Sequence, residues 1–189
     1  MMLTALALAA ASIVAPPITM SMRAPEGIPA DIVATARAEA AAIWRTAGLE
    51  IAWSGEGAVR VSIDAPAAAA GDPVKVVGYV VFTDGVPAPD IHLSYDNALV
   101  LLNETEGVSH VAAMTQFERN LLLGRALGRA LAHELGHYLF SSRTHTTTGL
   151  MQAHRRTTDF FKRGREGFEI SAPQRSALAS KLSRASASR

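Results

Sequence analysis

The sequence predicts an α/β domain of the α+β kind: a mixed sheet of four or five strands packed on a first helix and a long later helix, closed by a small C-terminal part with its own final helix. Three observations carry this. Apolar residues recur at helical spacing between Pro29 and Ala47. Residues 49–103 then break into short runs, rich in β-branched residues, separated by Gly and Pro. From Met114 to Phe140 there is no proline, and leucine returns one turn apart at Leu123, Leu127, Leu131, Leu135 and Leu139.

In chain order, "MRAPEGIP" reads as irregular. The first helix has Ile32, Ala36, Ala40, Ile43, Trp44 and Ala47 on one face and stops at Gly48. Leu49–Trp53 and Ala58–Asp64 are the first two strands, joined by "SGEG". Residues 65–73 are a loop by composition, and Val74–Phe82 is the most β-branched strand. "TDGVPAP" is a turn, with Asp90–Asp96 and Ala98–Asn103 as short strands beyond it. The long helix carries a second ridge of small residues, Gly124, Gly128, Ala132 and Gly136, which would let it approach a sheet closely. Residues 141–167 are irregular. Ser171 with Gln174 forms a capping-box pattern, so a helix of about ten residues follows and frays beyond Leu182.

The bulk numbers fit one domain. The chain has 189 residues, 49% hydrophobic and 19% charged, enough for a core without staples. It has no cysteine, which removes disulfides, thiolate zinc sites and thiol catalysis together. From Arg143 onward ten Lys/Arg face three acids, against eight and fourteen before it. The basic residues are scattered among Ser, Thr and Ala with few aromatics to stack bases, so they read as a solvated face and not a nucleic-acid site. The apolar run Leu3–Val14 is too short to span a bilayer and suits the core of a secretory leader. Residues 1–22 are therefore read as a leader and 23–189 as the domain, which makes the protein secreted or periplasmic; a true start at Met20 or Met22 would make it cytoplasmic. No membrane anchor is expected, since Arg125, Arg129 and His133 interrupt the long helix.

The chemistry concentrates in "HELGHYLFSSRTHTTTGLM", residues 133–151. Residues i and i+4 share a helix face, so His133 and His137 can offer ring nitrogens to one ion. Glu134, rotated from the first ligand, approaches the ion's open side. There a carboxylate takes a proton from a water whose pKa the ion lowers toward ~7 and hands it to a leaving amine. The spacing assigns ligand, base, ligand.

With "HELGH" and "GLM" the chain resembles the metzincin superfamily of zinc metallopeptidases, whose signature is HExxHxxGxxH followed by a methionine turn. The resemblance covers the outline of residues 29–151 but only about twenty residues of specific motif. It implies a Zn2+ cofactor, a peptide or protein substrate, and Met151 as the turn methionine beneath the metal, with Gly149 beside it. The chain departs from the signature twice. The family glycine falls on Phe140 and the third histidine on Arg143, a permanent cation that cannot ligate zinc. His145 then becomes the natural third ligand, with Glu166, Glu169, Asp159 and His154 as alternatives.

Some metzincins use a tyrosine after the turn to stabilise the oxyanion. This chain's tyrosines (Tyr79, Tyr95, Tyr138) are all upstream, leaving Arg155 or His154 as substitutes. His92, His110, Trp44 and Trp53 read as structural or exposed. The family's edge strand would correspond to Asp90–Asp96 or its neighbour. The expected activity is an endopeptidase rather than an exopeptidase. Two other readings compete: a zinc-binding domain of the same fold without proteolysis, and an interaction module using the basic C-terminal region.

Overall fold

The computed structural model describes residues 17–64 and 76–187. Most of the stretch read as a leader and the loop at 65–73 lie outside the described residues. Five strands form one sheet in the order β2-β1-β3-β5-β4. They are β1 (Ile18–Arg23), β2 (Ile51–Trp53), β3 (Val59–Asp64), β4 (Gly78–Thr83) and β5 (Val86–Ser94). All neighbours run parallel except β4, which pairs antiparallel with β5 and ends the sheet on that side.

β1 is the largest departure from the sequence reading. It occupies residues assigned to the end of the leader and the start of an irregular stretch. Its neighbours on both sides hold it in the interior of the sheet, with Met20 fully buried and Met22 nearly so. A boundary after residue 22 would remove all of β1 except Arg23. The hairpin between β4 and β5 also differs. Only Asp84 and Gly85 turn, both at positive φ (50° and 80°), the signature of a tight two-residue hairpin. Pro87 and Pro89 extend β5 instead of ending it. The pairing with β3 starts only at Asp90, so their missing N–H groups cost no ladder bond on that side.

The helices are α1 (Ala30–Arg45), α2 (Tyr95–Glu106), α3 (Val108–Ala113), α4 (Gln116–Phe140) and α5 (Ala172–Ala187). α1 buries the face read from its periodicity, with Glu39 in addition. α2 replaces the strand expected at Ala98–Asn103. Ser94 caps it by accepting from the Asn97 amide at 3.2 Å, and Ala98, Leu101 and Leu102 point inward at helical spacing. α4 starts at a full capping box between Thr115 and Glu118. α5 starts at the expected Ser171–Gln174 box and runs longer than expected. No helix among the described residues is long and apolar enough to cross a membrane.

The small-residue ridge of α4 faces a helix, not the sheet. A Cβ on Gly124 would press on Ile32 and Thr35, and one on Gly128 would press on the backbone of Ala36 and on Glu39. Contacts across the pair stay nearly in register: Asn120 Nδ2 donates to Asp31, Arg129 Nε to Glu39, and Trp44 Nε1 to the Ala132 carbonyl, partners 88 to 90 residues apart. The two helices therefore run side by side in the same direction. Arg37 ties α1 to β1 through the Met22 carbonyl and stacks on Trp53 of β2. α4 lies under β4 and β5. That places the second half of α4 beside the sheet's antiparallel edge.

Candidate metal centre

His133, Glu134 and His137 sit on α4 where it passes β4. The helix ends at Ser141, whose left-handed backbone (φ 49°) turns the chain where the signature would have a glycine one residue earlier. Ser142 then returns over the last turn, donating its amide to the His137 carbonyl at 3.2 Å. Beyond it the chain folds back: the Thr146 amide donates to the Met151 carbonyl at 2.8 Å, and Gly149 adopts φ 77°. This closed loop brings His145 back to the helix.

The three histidines converge. Their nearest ring nitrogens lie within 4.8 Å of one another, and among the described residues they are the one such group of His, Asp or Glu side chains. Ring centroids are 4.8 Å apart for His133–His137 and His137–His145, and 5.3 Å for His133–His145. The alternative ligands lie elsewhere. Asp159 Oδ1 is bound by Lys162 at 2.6 Å, Glu169 Oε1 accepts from the Gly167 amide at 3.0 Å, and neither Glu166 nor His154 joins the trio. Arg143 reaches the other way and stacks on Phe82 of β4 with 4.7 Å to the ring centroid.

The hydrogen bonds around the trio fit a cation. His133 Nδ1 faces the Leu150 carbonyl at 2.8 Å and His137 Nδ1 the Ser142 carbonyl at 2.7 Å. A carbonyl only accepts, so each Nδ1 carries the proton and each Nε2 presents a lone pair. Those two Nε2 atoms stand 3.1 Å apart. Two lone pairs at that distance repel unless a positive charge sits between them. Tetrahedral zinc with ligand distances near 2.0–2.1 Å would put neighbouring nitrogens ~3.3 Å apart. The donor set therefore fits a zinc-sized ion.

Electrostatics agree. Burial, together with the neighbouring His137, His145 and Arg155, holds the His133 imidazole down to about 4, against the Leu150 hydrogen bond; burial also lowers His137. Both rings stay neutral, as ligands must. Glu134 is pushed up to about 8 by burial, opposed by a hydrogen bond with the Val80 backbone. Its side chain passes Gly78, where an added Cβ would meet Glu134 Cγ at 3.2 Å, so the edge strand is shaped around the carboxylate. Below the helix, Met151 is 2% exposed and its thioether occupies the place where a Cβ on Gly136 would go.

In the metal-free protein a histidine with a lowered pKa takes its proton in the unfolded chain first. Stability is thus lost as the pH falls from about 6.5 toward about 4. Glu134 acts in the opposite sense above 4.5, so thermal unfolding is followed on metal-free Glu134→Gln, where that opposing contribution is removed. Its midpoint is expected to drop across that window, and a midpoint independent of pH there would contradict the burial of these rings.

The sequence reading missed the scaffold behind the site. Arg129, one turn before His133, is fully buried. It pairs with Glu39 at 2.9 Å, donates to the carbonyls of Asp159, Lys162 and Gly164, and stacks on Phe168. Arg165 binds the other oxygen of Glu39 at 2.7 Å. A cation inside the leucine stripe of α4 was the available signal. A cavity of about 620 Å³ opens from the histidines between α2, α4 and the segment 152–168.

These features define an α/β domain in which an HExxH helix meets a third histidine above the turn that carries Met151. Among solved structures the chain is similar to archaemetzincin from Methanopyrus kandleri, with a TM-score of 0.58 and 13% identity over 89% of this chain and 97% of that one. No protein family's sequence pattern matches the chain, and no curated protein matches it in sequence.

Proposed function

We propose that this protein is a zinc-dependent peptidase, more narrowly an endopeptidase. His133, His137 and His145 hold the ion, Glu134 is the general base and Met151 is the turn methionine. The observation that carries the reading is the pair of Nε2 lone pairs facing each other at 3.1 Å, with a buried carboxylate one residue from the first. When bound, zinc supplies the charge that polarises a scissile carbonyl and acidifies water. The chain's own residues do the rest. The Leu150 and Ser142 carbonyls fix the imidazole tautomers. Glu134 takes a proton from the attacking water and returns it to the departing amine.

β5, which carries Asp90–Ser94, is flanked on both sides, so among the described residues its neighbour β4 is the edge of the sheet nearest the site, along which an extended peptide adds a strand. An intact Glu134 favours this reading over a zinc-binding domain without proteolysis, which would have no use for that carboxylate. The export reading is also retained as a proposal, and a leader ending by Ala15 would leave β1 whole. N-terminal sequencing of the mature protein tests it.

The enzymatic claim is tested by incubating zinc-loaded protein with an unfolded protein substrate. Cleavage should stop with a chelator and return with added zinc. Cleavage indifferent to chelation, or none at one zinc per chain, would defeat it.

A further inference from the structure

Arg155 stands in the cavity wall, and no described carboxylate is hydrogen-bonded to its guanidinium. Its guanidinium donates to the carbonyls of Gly167 at 2.7 Å, Leu150 at 3.1 Å and Gly149, and it stacks on Phe168 with 4.0 Å to the ring centroid. Carbonyls satisfy N–H groups but leave the net charge of this half-buried guanidinium in place. No described carboxylate pairs with it. Asp159 and Glu169 reach it only through space, each already engaged by Lys162 or by the Gly167 amide. Arg129, in the same wall, shares Glu39 with Arg165. Against these cations the lining holds, among the described residues, one carboxylate besides Glu134, that of Glu104 on α2. The remaining surface includes Leu101, Phe160 and Phe168.

Arg155 is also close to the chemistry. The Leu150 carbonyl that accepts from Arg155 is the one that accepts from His133, so the guanidinium lies two hydrogen bonds from a ligand ring. The geometry points to Arg155 as the anchor for a carboxylate of the substrate beside the scissile bond. The group is either the side chain of an Asp or Glu flanking the cleaved bond or a free α-carboxylate at the chain end. This rests on the peptidase reading of the site and adds a substrate class to it: acidic groups enter the cavity, and Lys or Arg side chains are repelled. Leu101, Phe160 and Phe168 in the wall lower the local polarity, which strengthens charge-assisted hydrogen bonds.

Zinc-loaded Glu134→Gln protein, which is expected to bind without cutting, separates the pocket from catalysis. Four labelled peptides of one core sequence serve as probes. One carries an acidic side chain and an amidated end, one a neutral side chain and a free carboxylate, one is neutral and amidated, and one carries lysine and is amidated. At least one carboxylate form is expected to bind about tenfold tighter than the neutral amide, with the lysine form weakest and the difference shrinking at high salt. A gain for the side-chain form marks an endopeptidase preference, and a gain for the free end marks a carboxypeptidase. In Arg155→Gln that gain should vanish while the neutral peptide binds as before, and Arg155→Lys should restore part of it. Equal binding of all four peptides, or tightest binding of the lysine form, would overturn the proposal. Peptides that bind with the expected preference yet are not cut by zinc-loaded wild type would leave the pocket standing and remove the peptidase reading alone.

Discussion

Glu134→Gln is expected to keep one zinc per chain and lose peptidase activity by about 10²–10⁴-fold, the usual worth of a positioned general base. The amide has nearly the volume of the carboxylate, so it still fits against Gly78 and Val80, but it cannot accept the proton. The same substitution has a second readout in the metal-free protein. A carboxyl held up to about 8 when folded, against an ordinary value of 4.5, costs stability as the pH rises between those values, because the unfolded chain gives up the proton first. Metal-free Glu134→Gln is released from that cost. Its melting point should therefore exceed that of wild type by a margin that grows from pH 4.5 to 8. Full activity in the variant would remove the mechanism, and a constant margin would contradict the burial of the carboxylate.

Arg129→Met is expected to destabilise the fold by about 3–5 kcal/mol, the range for removing one partner of a buried ion pair. For a domain of this size that lowers the melting point by on the order of 10 °C. The cost arises from what is stranded. Glu39 keeps its charge at 8% side-chain exposure with only the half-exposed Arg165 to answer it, and three carbonyls of the segment 159–164 lose their donor. Converting Glu39 to Leu in the same chain should recover part of the loss by removing the stranded carboxylate. A single substitution costing less than about 1 kcal/mol, read by urea unfolding, would show that the Arg129–Glu39 pair does not hold this segment.

The elements most legible in the sequence are those whose signals are local. The periodicity of α1, the leucine stripe of α4, the Ser171–Gln174 box and the His133–Glu134–His137 spacing need only neighbours a turn away, and each has its counterpart in the structure. β1 was obscured because Ile18, Met20 and Met22 follow directly on an apolar run that resembles a leader, and a single strand does not announce its partners. The apolar run at Ala98–Leu102 fits a strand or a helix equally well, and the Ser94 cap decides between them. The small-residue ridge of α4 signalled a close approach, which the sequence reading assigned to a sheet and the structure gives to α1, because a local pattern does not name its partner. The Arg129–Glu39 pair spans 90 residues, beyond any local pattern. For the third histidine, counting positions raised the need for a rerouted segment. The means of rerouting are three-dimensional: a left-handed Ser141 and a loop closed from Thr146 to Met151.

The central claim, that three imidazoles share one ion, is tested most directly by X-ray absorption at the zinc edge on wild type and His145→Ala, with metal content measured on the same samples. The account predicts one zinc per wild-type chain, with three imidazole nitrogens at about 2.0–2.1 Å. His145→Ala should show two imidazoles and surrender its metal to a competing chelator that leaves wild type loaded. A variant with the wild-type spectrum and full occupancy would contradict it.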